Sequence, residues 1–342
     1  MTATAVAPLR IGVIGVGRIG RMHAELIAHQ VPGAALAAVF DPYAPAAQGV
    51  AAALGVPAAT SAEEIFDADL DAVAICSSSD THVDLLIAAA QAGKAVFCEK
   101  PVSLDLAEVD RALGAIDAAG VRFQIGFNRR FDPAHASVRE AVLSGAVGDP
   151  HLVRISSRDP DPPPLEYVKT SGGLFLDMMI HDFDMARFVT GSEVVEVFAR
   201  GAVRIEPSFA EAGDIDTALV TLVHEDGCLT AIDNSRRAAY GYDQRVEVFG
   251  SSGMAVSENP RGHTGSVLTA AGERRPPNPY FFLERYLPSY VREWQAFVEA
   301  VKRGLQPPVS STDARAPLVI GLAAGRSLRE GRPVRVEEVQ PA

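Results

Sequence analysis

Cysteine, tryptophan, histidine and basic residues are scarce in this chain, and long apolar runs are missing. The 3 cysteines, Cys76, Cys98 and Cys228, form an odd, sparse set that offers no disulfide framework and suits a reducing compartment. No uncharged apolar stretch reaches the ~20 residues that a spanning helix requires, which argues against an integral membrane protein. Lysine and arginine total 31 against 43 acidic residues, a net charge of −12. Affinity for phosphate needs local positive charge, so neither nucleic acid nor an anionic membrane is an expected partner. Met1 to Arg10 has no basic stretch leading into an apolar core, so no export signal is read there and a cytoplasmic protein is expected. The 8 histidines are scattered and contain no HxxxH pair, so no metal site is expected. Repeats and low-complexity tracts are absent.

What is present is the composition of an ordinary soluble protein, 48% hydrophobic and 22% charged over 342 residues. At roughly 150 residues per domain, that length predicts two. Short β-branched runs (RIGVIGV from Arg10, ALAAVF from Ala35, AVAIC from Ala72, then Ala95–Cys98 and Phe123–Gly126) alternate with helical stretches over residues 1–127. That rhythm predicts βαβ units and a parallel sheet with helices on both faces. The rhythm then changes. Residues 128–342 read as a helix from Pro133, a strand from His151 and a proline-rich loop over Arg158–Gly173. One long helix then runs from about Leu174 to Val189, followed by longer alternating strands to Val256. An α+β domain with an open, mostly antiparallel sheet is expected there, one face covered by helices and one free. Gly262–Pro279 reads as loop, and Pro288 and Pro317 are irregularities in two late helices.

Gly15-Val16-Gly17-Arg18-Ile19-Gly20 is GxGxxG placed between a strand and a helix, the setting that gives the motif meaning. Gly15 permits a tight turn, Gly17 lets backbone approach a pyrophosphate, and Gly20 allows close helix–strand packing, with Arg18 and Ile19 opening the helix. Asp41 ends the second strand, where a carboxylate accepts from ribose hydroxyls and repels a 2′-phosphate, so NAD is expected over NADP. Asp41 with Pro42 also fits a simple turn. Ser77, Ser78, Ser79 and His82 follow the third strand at the ligand-binding edge; Ser79 or Asp80 fits a helix cap equally well.

Glu99-Lys100-Pro101 ends the next strand at the same edge. There a lysine can place its ammonium beside a reacting oxygen and Pro101 can fix the backbone, with either peptide isomer open. Asp177, His181 and Asp184 lie at i, i+4 and i+7 of the long helix and so share one face. That stripe suits a buried histidine satisfied by aspartate, or an acid–base pair in which Asp177 fixes the imidazole tautomer and His181 moves a proton, for which histidine's ordinary pKa of about 6.5 is apt.

The blocks GVIGVGRIGRMHA, FCEKPVSLD, GFNRRFDPAH, SRDP, SGGLFLDMMIHDFDMARF and NSRRAAYGYDQRVEVFGSSG occur in this order. Together they resemble the glucose–fructose oxidoreductase/inositol dehydrogenase/MocA family, nearest its bacterial inositol 2-dehydrogenase branch. The resemblance implies a Rossmann domain and an α+β domain whose open sheet mediates assembly into a dimer or tetramer. It implies catalytic roles for Lys100, Asp177 and His181, and positions facing a cyclic polyol for Arg129, Asp159 and Tyr242. The reaction implied is NAD-dependent oxidation of a secondary ring hydroxyl of myo-inositol or a close stereoisomer. A pyranose sugar is the other substrate class to weigh, and a non-catalytic NAD-binding sensor the other function. Ser77-Ser78 stands where relatives often have Thr-Pro, and Pro288 and Pro317 interrupt helices that are usually smooth.

Overall fold

A computed structural model describes residues 7–341, and packing divides them into two units. The first unit is built on β1 (Leu9–Ile14), α1 (Arg18–His29), β2 (Ala34–Phe40), α2 (Ala44–Leu54), α3 (Ala62–Asp67), β3 (Ala72–Ile75), α4 (His82–Gln91), β4 (Ala95–Glu99), α5 (Leu106–Ala119) and β5 (Phe123–Gly126). The strands form one parallel sheet in the order β2-β1-β3-β4-β5. Continuous apolar runs such as Ala72–Ile75, buried at every position, are what a strand covered on both faces demands. Chain direction across the sheet reverses between β1 and β3, and ligands of such sheets bind at the carboxyl ends of strands beside that reversal.

The first unit extends to Asn128, and the chain beyond it does not form one unbroken second unit. Tyr290–Ala316 packs with the first unit. Trp294 stacks on Phe97 with ring centroids 4.4 Å apart, Phe297 meets both rings edge-on, and Ile125 N–H donates to Val309 O at 3.1 Å. Two aromatic rings, Trp294 and Phe297, joining the core outweigh chain order, since a fully buried large side chain is worth roughly 1.5–3 kcal/mol.

The second unit contains α6 (Pro133–Leu143), β6 (Pro150–Arg158), α7 (Leu165–Val168), α8 (Ile180–Thr190), β7 (Val194–Ala202), α9 (Ser208–Glu211), β8 (Thr217–His224), β9 (Leu229–Ser235), β10 (Asp243–Gly250) and β11 (Gly253–Ser257). Residues read as loop after Gly262 include a hairpin of β12 (Val267–Thr269) and β13 (Gly272–Arg274). Helices α10 (Phe282–Lys302) and α11 (Ser311–Glu330) and the short β14 (Val334–Arg335) complete the chain. The large sheet runs β11-β10-β6-β9-β8-β7-β14, antiparallel except for the β6–β9 pair. Its inner positions, among them Val153, Ile155, Val220, Leu222, Ile232, Val246 and Val248, share a core with Phe183, Met185 and Val189 of α8.

Both prolines lie inside their helices, Pro288 in α10 and Pro317 in α11. Each removes one backbone donor without ending the helix. Each also sits within two residues of the place where its helix passes from one unit to the other, after Ser289 and before Pro317.

Candidate active site

In the first unit every motif residue collects at the carboxyl edge of the parallel sheet, because each follows a strand end. Gly15 has φ +85°, and a Cβ there would come within 2.5 Å of the Ser77 backbone, so the β1 and β3 loops pack directly together. A Cβ on Gly20 would lie 1.8 Å from Gly15 O, whereas one on Gly17 would meet nothing within 4 Å. Tight packing beneath and open space above, at the free N–H end of α1, is a cradle for a dinucleotide pyrophosphate.

Asp41 accepts from Val16 N–H at 2.8 Å and Tyr43 N–H at 2.9 Å, one on each carboxylate oxygen. It therefore makes the turn and also ties the glycine loop to the end of β2. Each oxygen retains acceptor capacity for a ribose hydroxyl. Ser77 Oγ and Thr81 Oγ1 are 2.7 Å apart, and neither Ser79 nor Asp80 caps α4.

The His82 ring is buried, with Nδ1 2.8 Å from Pro101 O and Nε2 3.0 Å from Ser77 O. It braces the serine loop against the Lys100 loop. Burial lowers its pKa, while those carbonyls and nearby carboxylates pull the other way. Lys100 is half-buried and precedes a cis Pro101, the isomer left open from sequence. Its backbone N–H donates to Glu99 Oε2 at 3.2 Å.

In the second unit the expected single helix from Leu174 is not continuous. Leu174–Met178 is a π-helical turn, closed by Met179 N–H to Leu174 O at 2.9 Å, and α8 begins at Ile180. Such wide turns are frequent at functional sites. Asp177 lies in this turn and His181 in the first turn of α8, so the uniform i, i+4, i+7 stripe is corrected. Asp184 belongs elsewhere: it holds Arg130 in a two-pronged ion pair at 2.6 and 2.9 Å.

Asp177 Oδ1 accepts from Tyr167 Oη at 2.8 Å and Oδ2 from Arg236 Nη1 at 3.0 Å. Arg236 also lies 3.9 Å from Asp159. Enclosure pushes Asp159 up to about 6, with Arg236 and Arg129 opposing and Asp177 reinforcing. A quarter of its side chain (26%) still meets solvent. Arg129, expected to face substrate, is buried and bonded to Asp182 at 2.7 Å and Ser157 at 3.2 Å. Asn234 donates to the second Asp182 oxygen at 2.9 Å. Burial lifts Asp182, against the pull of Arg129, Asn234 and Ser157. Tyr242 is 5% exposed, and burial raises its phenol well above the ordinary value.

Sequence spacing did not reveal Asp182, Asn234, Arg236 or Tyr167. Asp182, Asn234 and Arg236 stood inside the motif blocks above, and the density of polar residues there in otherwise apolar stretches was the available signal. Among the described residues no group of three or more His, Cys, Asp or Glu is placed to hold a metal ion.

A Rossmann glycine turn in one unit and a mixed-sheet unit that carries Asp177 and His181 fit a nucleotide-dependent oxidoreductase. The family model described as "Oxidoreductase family, NAD-binding Rossmann fold" matches residues 9–127, and "GFO/IDH/MocA C-terminal domain" matches 135–256. The chain belongs to the Gfo/Idh/MocA oxidoreductase family, and its cofactor is NAD. It is 50% identical over 333 residues to a myo-inositol 2-dehydrogenase of Thermotoga maritima, spanning 97% of this chain and 99% of the relative. A crystal structure of a probable dehydrogenase from Thermotoga maritima is similar at TM-score 0.95 and 50% identity, over 97% of this chain and 100% of that one. The scyllo-inositol dehydrogenase of Lactobacillus casei, solved with bound NAD(H) and scyllo-inositol, is similar at TM-score 0.90 and 32% identity, over 96% and 99%.

Proposed function

We propose that this protein oxidises one secondary ring hydroxyl of a cyclic polyol, myo-inositol or a close stereoisomer, to the ketone. The observation that carries the reading is near-full-length likeness to inositol dehydrogenases, joined to a site crowded with groups that bind hydroxyls. Asp159, Arg236, Tyr167 and the Asp177–His181 turn supply both donors and acceptors, as a polyhydroxylated ring requires. NAD supplies the hydride acceptor.

In this mechanism His181 takes the hydroxyl proton and Lys100 donates to the same oxygen, stabilising its alkoxide character. Asp177, held by Tyr167 and Arg236, presents negative charge to the imidazolium that forms. Positioned proton transfer of this kind is worth ~10²–10⁴-fold. Gly15, Gly17 and Gly20 hold the pyrophosphate, with Arg18 and Ile19 at the helix start. Asp41 takes the adenosine ribose, Ser77, Ser78, Ser79 and Glu99 border the cofactor, and Arg129, Asp159 and Tyr242 shape the polyol side.

We further propose a homo-oligomer, a tetramer or dimer. On the outer face of the large sheet Met254, Phe249, Leu152, Leu229 and Val223 fall in one register row across five strands. Phe249, Met254 and Leu229 are 48, 55 and 49% exposed. A continuous apolar row of this kind favours cover by a second copy. A cytoplasmic location is supported by three buried, unbridged cysteines.

The test is NADH formation across a panel of inositols and aldoses with NAD+ and NADP+. Turnover of an inositol with NAD+ is expected. A preference for a pyranose, for NADP+, or no turnover at all replaces this reading with the corresponding alternative. Light scattering at micromolar concentration tests assembly, and a monomer refutes it.

A further inference from the structure

The first unit contains a buried polar chain that begins at His23, a residue to which no role is assigned above. His23, on α1, is 0% exposed. Trp294 Nε1–H donates to its Nδ1 at 2.8 Å, and its Nε2 lies 2.7 Å from Glu99 Oε1. An indole N–H only donates, so Nδ1 must present its lone pair and the ring proton sits on Nε2, directed at Glu99. The other Glu99 oxygen accepts from the Lys100 backbone N–H.

Rings confine the imidazole. Phe97, Tyr290 and Trp294 meet it edge-on at centroid distances of 5.2, 5.5 and 5.7 Å. Across from His23, the Glu99 carboxyl lies against Gly126, where a Cβ would come within 3.1 Å of it. Glu293, beside Trp294 in sequence, is fully buried, and burial with Glu99 nearby raises its pKa well above the ordinary range. A histidine with a single tautomer, walled by aromatics and bonded to the residue before Lys100, is poorly explained as filler.

We propose that His23 is a positioning residue for the dehydrogenation. Anchored by Trp294, it holds the Glu99 carboxylate and, through it, the backbone of Lys100, so that the lysine ammonium reaches the reacting oxygen in one orientation. This rests on the assignment of Lys100 under the proposed function.

Two near-isosteric substitutions separate the contacts. His23→Gln keeps a donor where Nε2 stood and gives up the Trp294 acceptor. His23→Asn keeps an acceptor where Nδ1 stood and gives up the Glu99 donor. Trp294 is the single tryptophan, so its emission reports whether each variant keeps the Trp294 contact. His23→Asn and His23→Leu are expected to lower kcat about 10- to 100-fold with NAD+ affinity retained, whereas His23→Gln keeps most of the turnover. A purely structural role predicts instead that kcat follows melting temperature across the variants, and that pattern overturns the proposal. If His23→Leu does not fold, Glu99→Gln stands in for it, and a wild-type kcat there also overturns the proposal. Lys100→Met separates the two levels. An active Lys100→Met removes the assignment beneath, while an inactive one beside a fully active His23→Asn removes the positioning role alone.

Discussion

Asp182→Ala strikes a buried pair whose geometry allows a magnitude to be worked. The carboxylate is 0% exposed, 2.7 Å from Arg129 Nη1 and 2.9 Å from Asn234 Nδ2. Removing one partner of a buried ion pair leaves the other charge stranded, at a cost of about 3–5 kcal/mol. Two opposite tendencies bear on the value. Burial raises the Asp182 pKa, so its charge is itself costly in the folded protein. Arg129 is penalised by burial too, yet ends more basic than an ordinary arginine because Tyr242, Tyr286, Asp182 and Asp159 all face it. When Asp182 leaves, Arg129 keeps the Ser157 hydroxyl and the nearby Asp159 charge, which favours the lower end, about 3 kcal/mol. For a unit of this size each kcal/mol shifts Tm by about 2–4 °C, so a drop of about 6–12 °C is expected. Asp182→Asn, which keeps an acceptor for Arg129, should fall between the variant and the wild type. The assay is thermal melting followed by far-UV circular dichroism, with urea unfolding as a check because two units need not melt together. An Asp182→Ala protein that melts within about 2 °C of the wild type refutes the reasoning.

Lys100→Met and His181→Ala should each lower kcat by at least about 100-fold while NAD+ still binds, measured by steady-state NADH formation and cofactor titration. Gly17→Ala should melt normally, since its Cβ meets nothing, yet bind NAD+ at least about tenfold more weakly by calorimetry. Gly20→Ala, whose Cβ collides with Gly15 O, should lose both stability and NAD+ affinity, by about 1–3 kcal/mol of overpacking. Asp159 holds its proton up to about 6 in the folded protein but only to about 4 when unfolded, so its contribution to stability declines as pH rises through that interval. Asp159→Asn should therefore raise Tm above pH 6 and change it little at pH 4, and it should remove any fall in kcat/KM below pH 6. Equal Tm shifts at both pH values refute that account.

The parallel sheet was legible because its evidence is local. Buried strands such as Ala72–Ile75 announce themselves as unbroken apolar runs, and Gly15, Gly17 and Gly20 place the nucleotide turn within six residues. The antiparallel strands from Val194 to Val256 were legible through alternation, and short motifs singled out Lys100, Asp177 and His181 as the residues proposed for the chemistry. Sequence periodicity carries such features because neighbours along a strand or helix share one backbone geometry.

Partner choice over long separations was decided only in three dimensions. Arg129 finds Asp182 across 53 residues, and Trp294 finds His23 across 271. The return of Tyr290–Ala316 to the first unit reflects an aromatic core that no local pattern marks. The π-helical turn at Asp177 also escaped, since a helical repeat does not register one wider ring of hydrogen bonds. Spacing along the chain determined which elements form and which residues are proposed to carry chemistry. Tertiary packing decided which buried charges meet, because burial leaves each polar group to be satisfied by whatever partner the closed fold brings to it.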